Sequence, residues 1–331
     1  MRVTHVVRFD AGLYYGGGEI QAERTGQALR DLGVEVVPFS PTQREFGDLV
    51  HFFGNFDYFD DVASRLRAAK IPYVVSPIFV SPRTEGRLKW RRTRQSVLGQ
   101  YPKRTASLLA GAWCLYTLTE HEERNLRAYF GSDLSEMVRI PNGVEDRFSE
   151  GDAIAFRSRF RIEPPFAIHV GTLDASKNQL ASIAACGSDI QLVIMGRENN
   201  AAYVEKCRAA AGSNIHILGS FPHSDPVLTD ALAAASVFVL PSYRELFPLS
   251  ALEATVAGCH LVLSDRWGGE AIWGSDAAYI SPDDPAAIRQ AIKERIELPK
   301  RTRDEIEPYR FQYSWPRVAE RILSTYHMAL R

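Results

Sequence analysis

The feature that most constrains this chain is an alternation that runs from end to end and restarts halfway. Short apolar runs rich in β-branched residues, VTHVV, VEVVPF, DLVHFF and PYVVS, are separated by stretches of helical spacing near 18–32 and 62–70. After WCLYTLT, a helical stretch from Glu120 to Phe130 and MVRIP, the chain turns at Pro141-Asn142-Gly143 and enters the polar DRFSEGD. The pattern then begins again: FAIHVGTL, a helix from about Lys177, IQLVIMG, a helix near Ala201 to Ala211, NIHIL, ALAAA, SVFVLPS, a helix after Leu249, HLVLSD and AAYIS. Strands alternating with helices predict parallel sheets covered by helices. The 331 residues exceed one ordinary core, which holds about 100–200. The restart therefore predicts two doubly wound α/β domains, at 1–148 and 149–305. A closing segment, 306–331, has helical spacing at Val318, Ile322, Leu323 and Tyr326 and is expected to return to the first domain. Ligands of open parallel sheets bind beyond the carboxyl ends of the strands, so the two sheets are expected to face each other across a cleft.

Composition narrows the function classes. A chain with 45% hydrophobic and 24% charged residues is an ordinary globular protein. A formal net charge of -1 argues against nucleic acid or another strongly charged partner engaging the chain as a whole. Cys114, Cys186, Cys207 and Cys259 are far apart, with no CxxC pair and no zinc-ligand spacing. The N-terminus lacks a signal-peptide apolar region, and no run approaches the roughly 20 apolar residues of a membrane span. A cytoplasmic location is expected. One segment departs from the average: residues 83–104 carry eight Lys or Arg against the single acid Glu85, with Trp90 among them. It reads either as a solvated helix face or as a basic patch for anionic lipid headgroups or a phosphate-bearing acceptor, at the inner face of a membrane.

The chemistry concentrates at strand ends. In YRELFPLSALEATVAG, Tyr243 to Gly258, a buried strand hands over to a helix, and Pro248 is expected at the first helical turn, where its missing N–H costs nothing. The free amides and partial positive charge of a helix N-terminus suit a diphosphate. Pro248 keeps Glu245 in the loop while Glu253 lies about one turn into the helix. A carboxylate beside a phosphate is useful as an acceptor for hydroxyls, which sugars supply. The plain alternative makes Glu253 a surface acid and Glu245 a helix-dipole partner. Lys177, in the loop after FAIHV, can neutralise phosphate as a mobile point charge. Gly16-Gly17-Gly18-Glu19 follows the first strand and lets the backbone approach a ligand, but Gln21 breaks the dinucleotide fingerprint.

Together these residues resemble the retaining glycosyltransferases of the GT-B fold, family 4. The resemblance rests on Glu245-Leu-Phe-Pro-Leu-Ser-Ala-Leu-Glu253-Ala, the GGGE loop, the PNGV turn, VGTLDASKN at Val170 to Asn178, the Pro-Ser before the motif, and the YSW tail from Tyr313. It implies a nucleotide sugar, UDP- or GDP-linked, as donor and a glycan or lipid-linked glycan as acceptor. Glu245 would meet hydroxyls of the donor sugar, Glu253 the ribose, and Lys177 the diphosphate. Amides near Phe247, Leu249 and Ser250 would assist, with Gly17 or Gly18 opposite and Gly196 near the base. Thr172 stands where the family often has Arg, and Ser176 where a basic residue often precedes the lysine, so Arg244 or Arg266 would supply the missing charge. Ser76-Pro77-Ile78-Phe79 replaces a histidine common in relatives. His121, Arg91 and Arg92 remain as acceptor-side candidates. No Asp-x-Asp motif occurs, so no metal and no cofactor beyond the donor are expected. A sugar-nucleotide epimerase, a phosphorylase and a nonenzymatic nucleotide-sugar-binding subunit are the rival readings on the same architecture.

Overall fold

A computed structural model of the chain describes residues 1–13, 16–81, 83–222 and 225–331. It divides into two compact units, Met1–Gly143 with Trp315–Arg331, and Val144–Ser314.

The first unit runs β1 (Arg2–Val6), α1 (Gly17–Asp31), β2 (Glu35–Pro38), β3 (Leu49–Phe53), α2 (Phe59–Ala68), β4 (Tyr73–Ser76), α3 (Glu85–Val97), α4 (Lys103–Ala110), β5 (Cys114–Thr117), α5 (Glu120–Phe130) and β6 (Met137–Arg139). The second runs α6 (Ala153–Phe160), β7 (Phe166–Val170), α7 (Gln179–Cys186), β8 (Gln191–Met195), α8 (Ala201–Ala210), β9 (Ile215–Gly219), α9 (Val227–Ala234), β10 (Val237–Leu240), α10 (Leu249–Val256), β11 (His260–Ser264), α11 (Glu270–Trp273), β12 (Ala277–Ile280), α12 (Pro285–Ile296) and α13 (Arg303–Gln312). Then α14 (Trp315–Ala329) rejoins the first unit.

Each unit is built on a six-stranded sheet, ordered β2-β1-β3-β4-β5-β6 in the first and β12-β11-β10-β7-β8-β9 in the second. Every pairing is parallel. The central strands β3, β7 and β10 are buried along their whole length, which explains why their sequences read as continuous apolar runs rather than alternating ones. Strand order reverses once in each sheet, between β1 and β3 and between β7 and β10. At such a switch point the neighbouring loops run to opposite faces and leave a crevice at the carboxyl edge.

The unit boundaries differ from those expected at 148 and 305. The chain crosses at Gly143–Val144 because Val144 pairs with Ser314 and its amide donates to Tyr313 O at 2.7 Å. Phe148 is buried in a 3-10 turn, Asp146–Ser149, that packs with α9 and α10 in the second unit. Residues 306–314 likewise stay there, since α13 packs on α10. Only α14 returns, burying Val318, Ile322 and Tyr326 in the first unit and packing along α1. Its Tyr326 hydroxyl shares a 2.7 Å hydrogen bond with His51 Nδ1, and Ser76 Oγ meets His51 Nε2 at 2.8 Å. Burial holds His51 well below the usual imidazole range, with neighbouring His5 adding to the shift. Among the described residues no helix is long and apolar enough to cross a membrane.

Candidate functional site

The second unit's site is assembled from the loops that follow β7 and β10, on either side of its switch point. After β7 the chain makes a tight turn: Asp174 Oδ1 accepts from the Ser176 amide at 2.9 Å, and Asp174 O from the Lys177 amide at 2.9 Å. The Ser176 amide and hydroxyl, more than nearby Arg244, hold the Asp174 carboxyl below its ordinary range. Asn178 closes the turn with φ 62°, a left-handed conformation that asparagine tolerates better than most residues. Its side-chain amide donates to Pro241 O at 3.2 Å and Pro282 O at 2.8 Å, tying the loops after β7, β10 and β12 together. The Tyr243 amide adds a bond to Ser176 O at 2.9 Å.

This lacing brings Lys177 and Glu245 into contact. Lys177 Nζ donates to Glu245 Oε1 at 2.5 Å, and Ser242 Oγ donates to the same oxygen at 2.9 Å. Glu245 is 9% exposed and Lys177 27%, so the pair sits at the lip of the protein with the carboxylate inside. An ammonium carries three donors, which leaves Lys177 with capacity for a ligand. Beneath them His169 is fully buried; burial first, and the Lys177 charge second, push it down to about 3, so it is neutral at ordinary pH. Its Nδ1 shares a 2.9 Å bond with Ser182 Oγ. Gln179 Nε2 donates to Thr172 O at 3.0 Å and fixes the turn from below.

The helix that follows Glu245 begins at Leu249, and Pro248 stands just before its first turn rather than within it. Pro248 is the cap, with φ -67° and ψ 117°, and the first turn starts at Leu249 and Ser250 with no side-chain cap. Its orphan amides are therefore left for something else. Glu253 is buried at the second turn of α10. Phe247 turns its ring inward onto Tyr313 and Trp273, at 5.3 and 6.2 Å, so only its backbone belongs to the loop surface.

Other expected residues divide. Gly196 has φ 154°, and a Cβ there would collide with Gly171 O, so this glycine is required by the close approach of the loops after β7 and β8. Arg266 is held by Asp283 at 2.6 Å, whereas Arg244 lies exposed beside Asp174. In the first unit Gly17 and Gly18 open α1, and a Cβ at Gly17 would meet nothing within 4 Å, so packing within that unit does not demand glycine there. His121 is half-buried at the start of α5 and lowered chiefly by burial, then by Arg124. Arg91 lies over the Tyr129 ring at 5.2 Å, and both it and Arg92 are on α3. The imidazole nearest Ser76 is His51, buried with both nitrogens engaged, so it does not take the place of the histidine expected after β4.

Ser242 and Asn178 enter the sequence reading only as members of quoted motifs, without a role, and His169 and Gln179 are not singled out there. Ser242 lies three residues before Glu245 and Asn178 directly after Lys177, and an Asn or Ser at a strand end beside a candidate acid is the signal that could have found them. The first unit has its own crevice of about 170 Å³ at its switch point, lined by Arg8, Gly18, Glu19, Phe53, Asn55 and Ile78 among others.

Residues 167–297 match the family model described as glycosyl transferases group 1. A D-inositol 3-phosphate glycosyltransferase of Geodermatophilus obscurus is 29% identical over 251 residues, covering 67% of this chain and 54% of that protein. A GDP-mannose-dependent alpha-(1-6)-phosphatidylinositol dimannoside mannosyltransferase of Mycobacterium tuberculosis is 27% identical over 253 residues, covering 73% and 64%. The chain thus spans between half and two thirds of the length of these relatives. Sucrose-phosphate synthase from Thermosynechococcus elongatus shares the fold with a TM-score of 0.79 at 19% identity, over 99% of each chain. The matched segment holds Lys177, Glu245 and nearly all of the β7–β12 sheet, so this part of the chain is similar to the group 1 glycosyl transferases, and the chain has the GT-B type of α/β fold.

Proposed function

We propose that the chain transfers a sugar from a UDP- or GDP-linked donor to a hydroxyl of a glycan or lipid-linked glycan, with retention at the anomeric carbon. One observation carries the reading: Lys177 and Glu245, from the two loops flanking the switch point, meet at 2.5 Å in the unit whose α10 starts without a side-chain cap. In the reaction the bond between the anomeric carbon and the diphosphate oxygen breaks as the acceptor oxygen bonds to that carbon. The acceptor proton leaves with the released nucleoside diphosphate. Negative charge grows on the departing oxygen, and Lys177 with the Leu249 and Ser250 amides stabilises it, a preorganised electrostatic role. Arg244 adds charge where Thr172 and Ser176 supply none. Glu245 accepts from donor-sugar hydroxyls and Glu253 from the ribose. Gly17 and Gly18 let backbone approach the donor, and Gly196 keeps the loop after β8 close to Gly171 near the base. His121, Arg91 and Arg92 serve the acceptor.

On this reading no divalent ion is required. Four unpaired, buried cysteines support a reducing, cytoplasmic setting. The test is incubation of the full chain with a panel of UDP- and GDP-sugars, with and without saccharide acceptors and with a chelator present. Acceptor-dependent release of nucleoside diphosphate and an unchanged anomeric configuration are expected. Consumption of donor without acceptor, a requirement for inorganic phosphate, or binding without turnover would each replace the reading by one of its rivals.

A further inference from the structure

We propose that the outer face of α3 docks this protein on a bilayer surface carrying anionic lipid. The proposal deepens the lipid-linked side of the acceptor reading and shares Arg91 with it, but Arg87, Trp90, Arg94, Val97 and Leu98 have no part in that reading. Arg87, Trp90, Arg91, Arg94, Val97 and Leu98 recur at steps of three and four, so they share one face of α3 and its cap. That face spans roughly 16 Å at 1.5 Å per residue. With Arg83 these arginines and Trp90 line a shallow groove of about 420 Å³. Trp90 is 64% exposed, Val97 81% and Leu98 52%, while Leu88 is the residue of the helix that enters the core. Arg94 lies over the Trp90 ring at 5.7 Å.

The charge is not cancelled locally. Glu85, the one acid between residues 83 and 104, is paired with Arg124 at 3.1 Å, and Arg83, Arg87 and Arg94 have no ion pair among the described residues. A soluble phosphate satisfies one or two guanidinium groups and leaves Trp90, Val97 and Leu98 in water. A bilayer surface meets the whole face: headgroup phosphates take the guanidinium groups, the indole sits at the interface, and Val97 and Leu98 enter the acyl boundary. Basic side chains interleaved with exposed apolar ones therefore favour the lipid surface over a free anion.

The test is sedimentation of the full chain with vesicles of phosphatidylcholine alone and with phosphatidylglycerol added, alongside Arg87→Ala/Arg94→Ala and Trp90→Phe. Binding is expected only with phosphatidylglycerol, weakened by salt. At about 1 kcal/mol for each basic residue near the surface, the double variant should lose roughly thirtyfold in partitioning. A blue shift of tryptophan emission on binding should vanish in Trp90→Phe, and unchanged melting of both variants would show that the fold is intact. Equal binding to neutral vesicles, undiminished binding of the double variant, or displacement by inorganic phosphate would each overturn the proposal. Vesicle binding does not depend on turnover, so it can fail while sugar transfer stands, and the reverse.

Discussion

The two units solve the same topological problem and fill the result differently. Each is a six-stranded parallel sheet with one reversal of strand order, and the first opens a crevice of about 170 Å³ there. In the second unit the loops at the reversal carry an ammonium, a carboxylate and an uncapped helix start. In the first, the crevice walls are Gly18, Phe53 and Ile78 with the Arg8–Glu19 pair at 2.9 Å. Behind them lies a closed polar network, His51 with Ser76 and Tyr326, and the Tyr116 hydroxyl 2.5 Å from Thr325 Oγ1. Topology places an opening; the loop side chains decide whether it suits a diphosphate or a less charged hydroxyl compound.

The sharpest way to break this contrast is Lys177→Ala. It should lower turnover by about 10²–10³ while leaving the melting of the first unit unchanged, read by steady-state kinetics and calorimetry. Retained turnover would remove the distinction between the units.

Glycine swaps come next. Gly196→Ala should destabilise the second unit by about 2–4 kcal/mol, because a Cβ meets Gly171 O at a positive φ. Gly17→Ala should change stability in denaturant by less than about 0.5 kcal/mol yet raise the KM for the nucleotide sugar in steady-state kinetics.

Glu122 sharpens the comparison through pH. It is fully buried in the first unit, accepts from the Phe79 and Leu118 amides at 2.7 Å each, and burial raises it to about 7. A carboxyl whose folded pKa lies above its unfolded value of 4.5 contributes most below pH 4.5 and loses that contribution as pH rises through about 7. Glu122→Gln should remove this trend, so the stability difference between wild type and variant should drift by roughly 2–3 kcal/mol over that window. A smaller effect than that of Glu122→Gln is expected from Tyr326→Phe, which leaves His51 Nδ1 without its partner and should cost about 1–2 kcal/mol. The loss should appear in exchange rates of α14 and β3 and not in the second unit.

Much of this was legible in the sequence because it is local. The alternation gave both sheets, the spacing from Glu120 to Phe130 matches α5 end to end, and Lys177 and Glu245 fall at the strand ends where their flanking runs placed them. What was not legible depends on contacts distant in sequence. The crossing at Gly143–Val144 follows from pairing with Ser314, and a local reading of the polar DRFSEGD put it too late. His51 sits inside an apolar strand, and its role depends on Tyr326, 275 residues away. Ile78 adopts φ 49° at the crevice of the first unit, where the Glu122 bond to Phe79 holds the adjoining backbone, and no local pattern announces a β-branched residue in that conformation.

The account rests on a nucleoside diphosphate seating between the loops after β7 and β10. Hydrogen exchange of the full chain with saturating UDP or GDP measures this most directly. Slowed exchange of amides in 171–179 and 247–252, reduced in Lys177→Ala, is the predicted result; protection confined to the crevice of the first unit, or unaffected by Lys177→Ala, would contradict it.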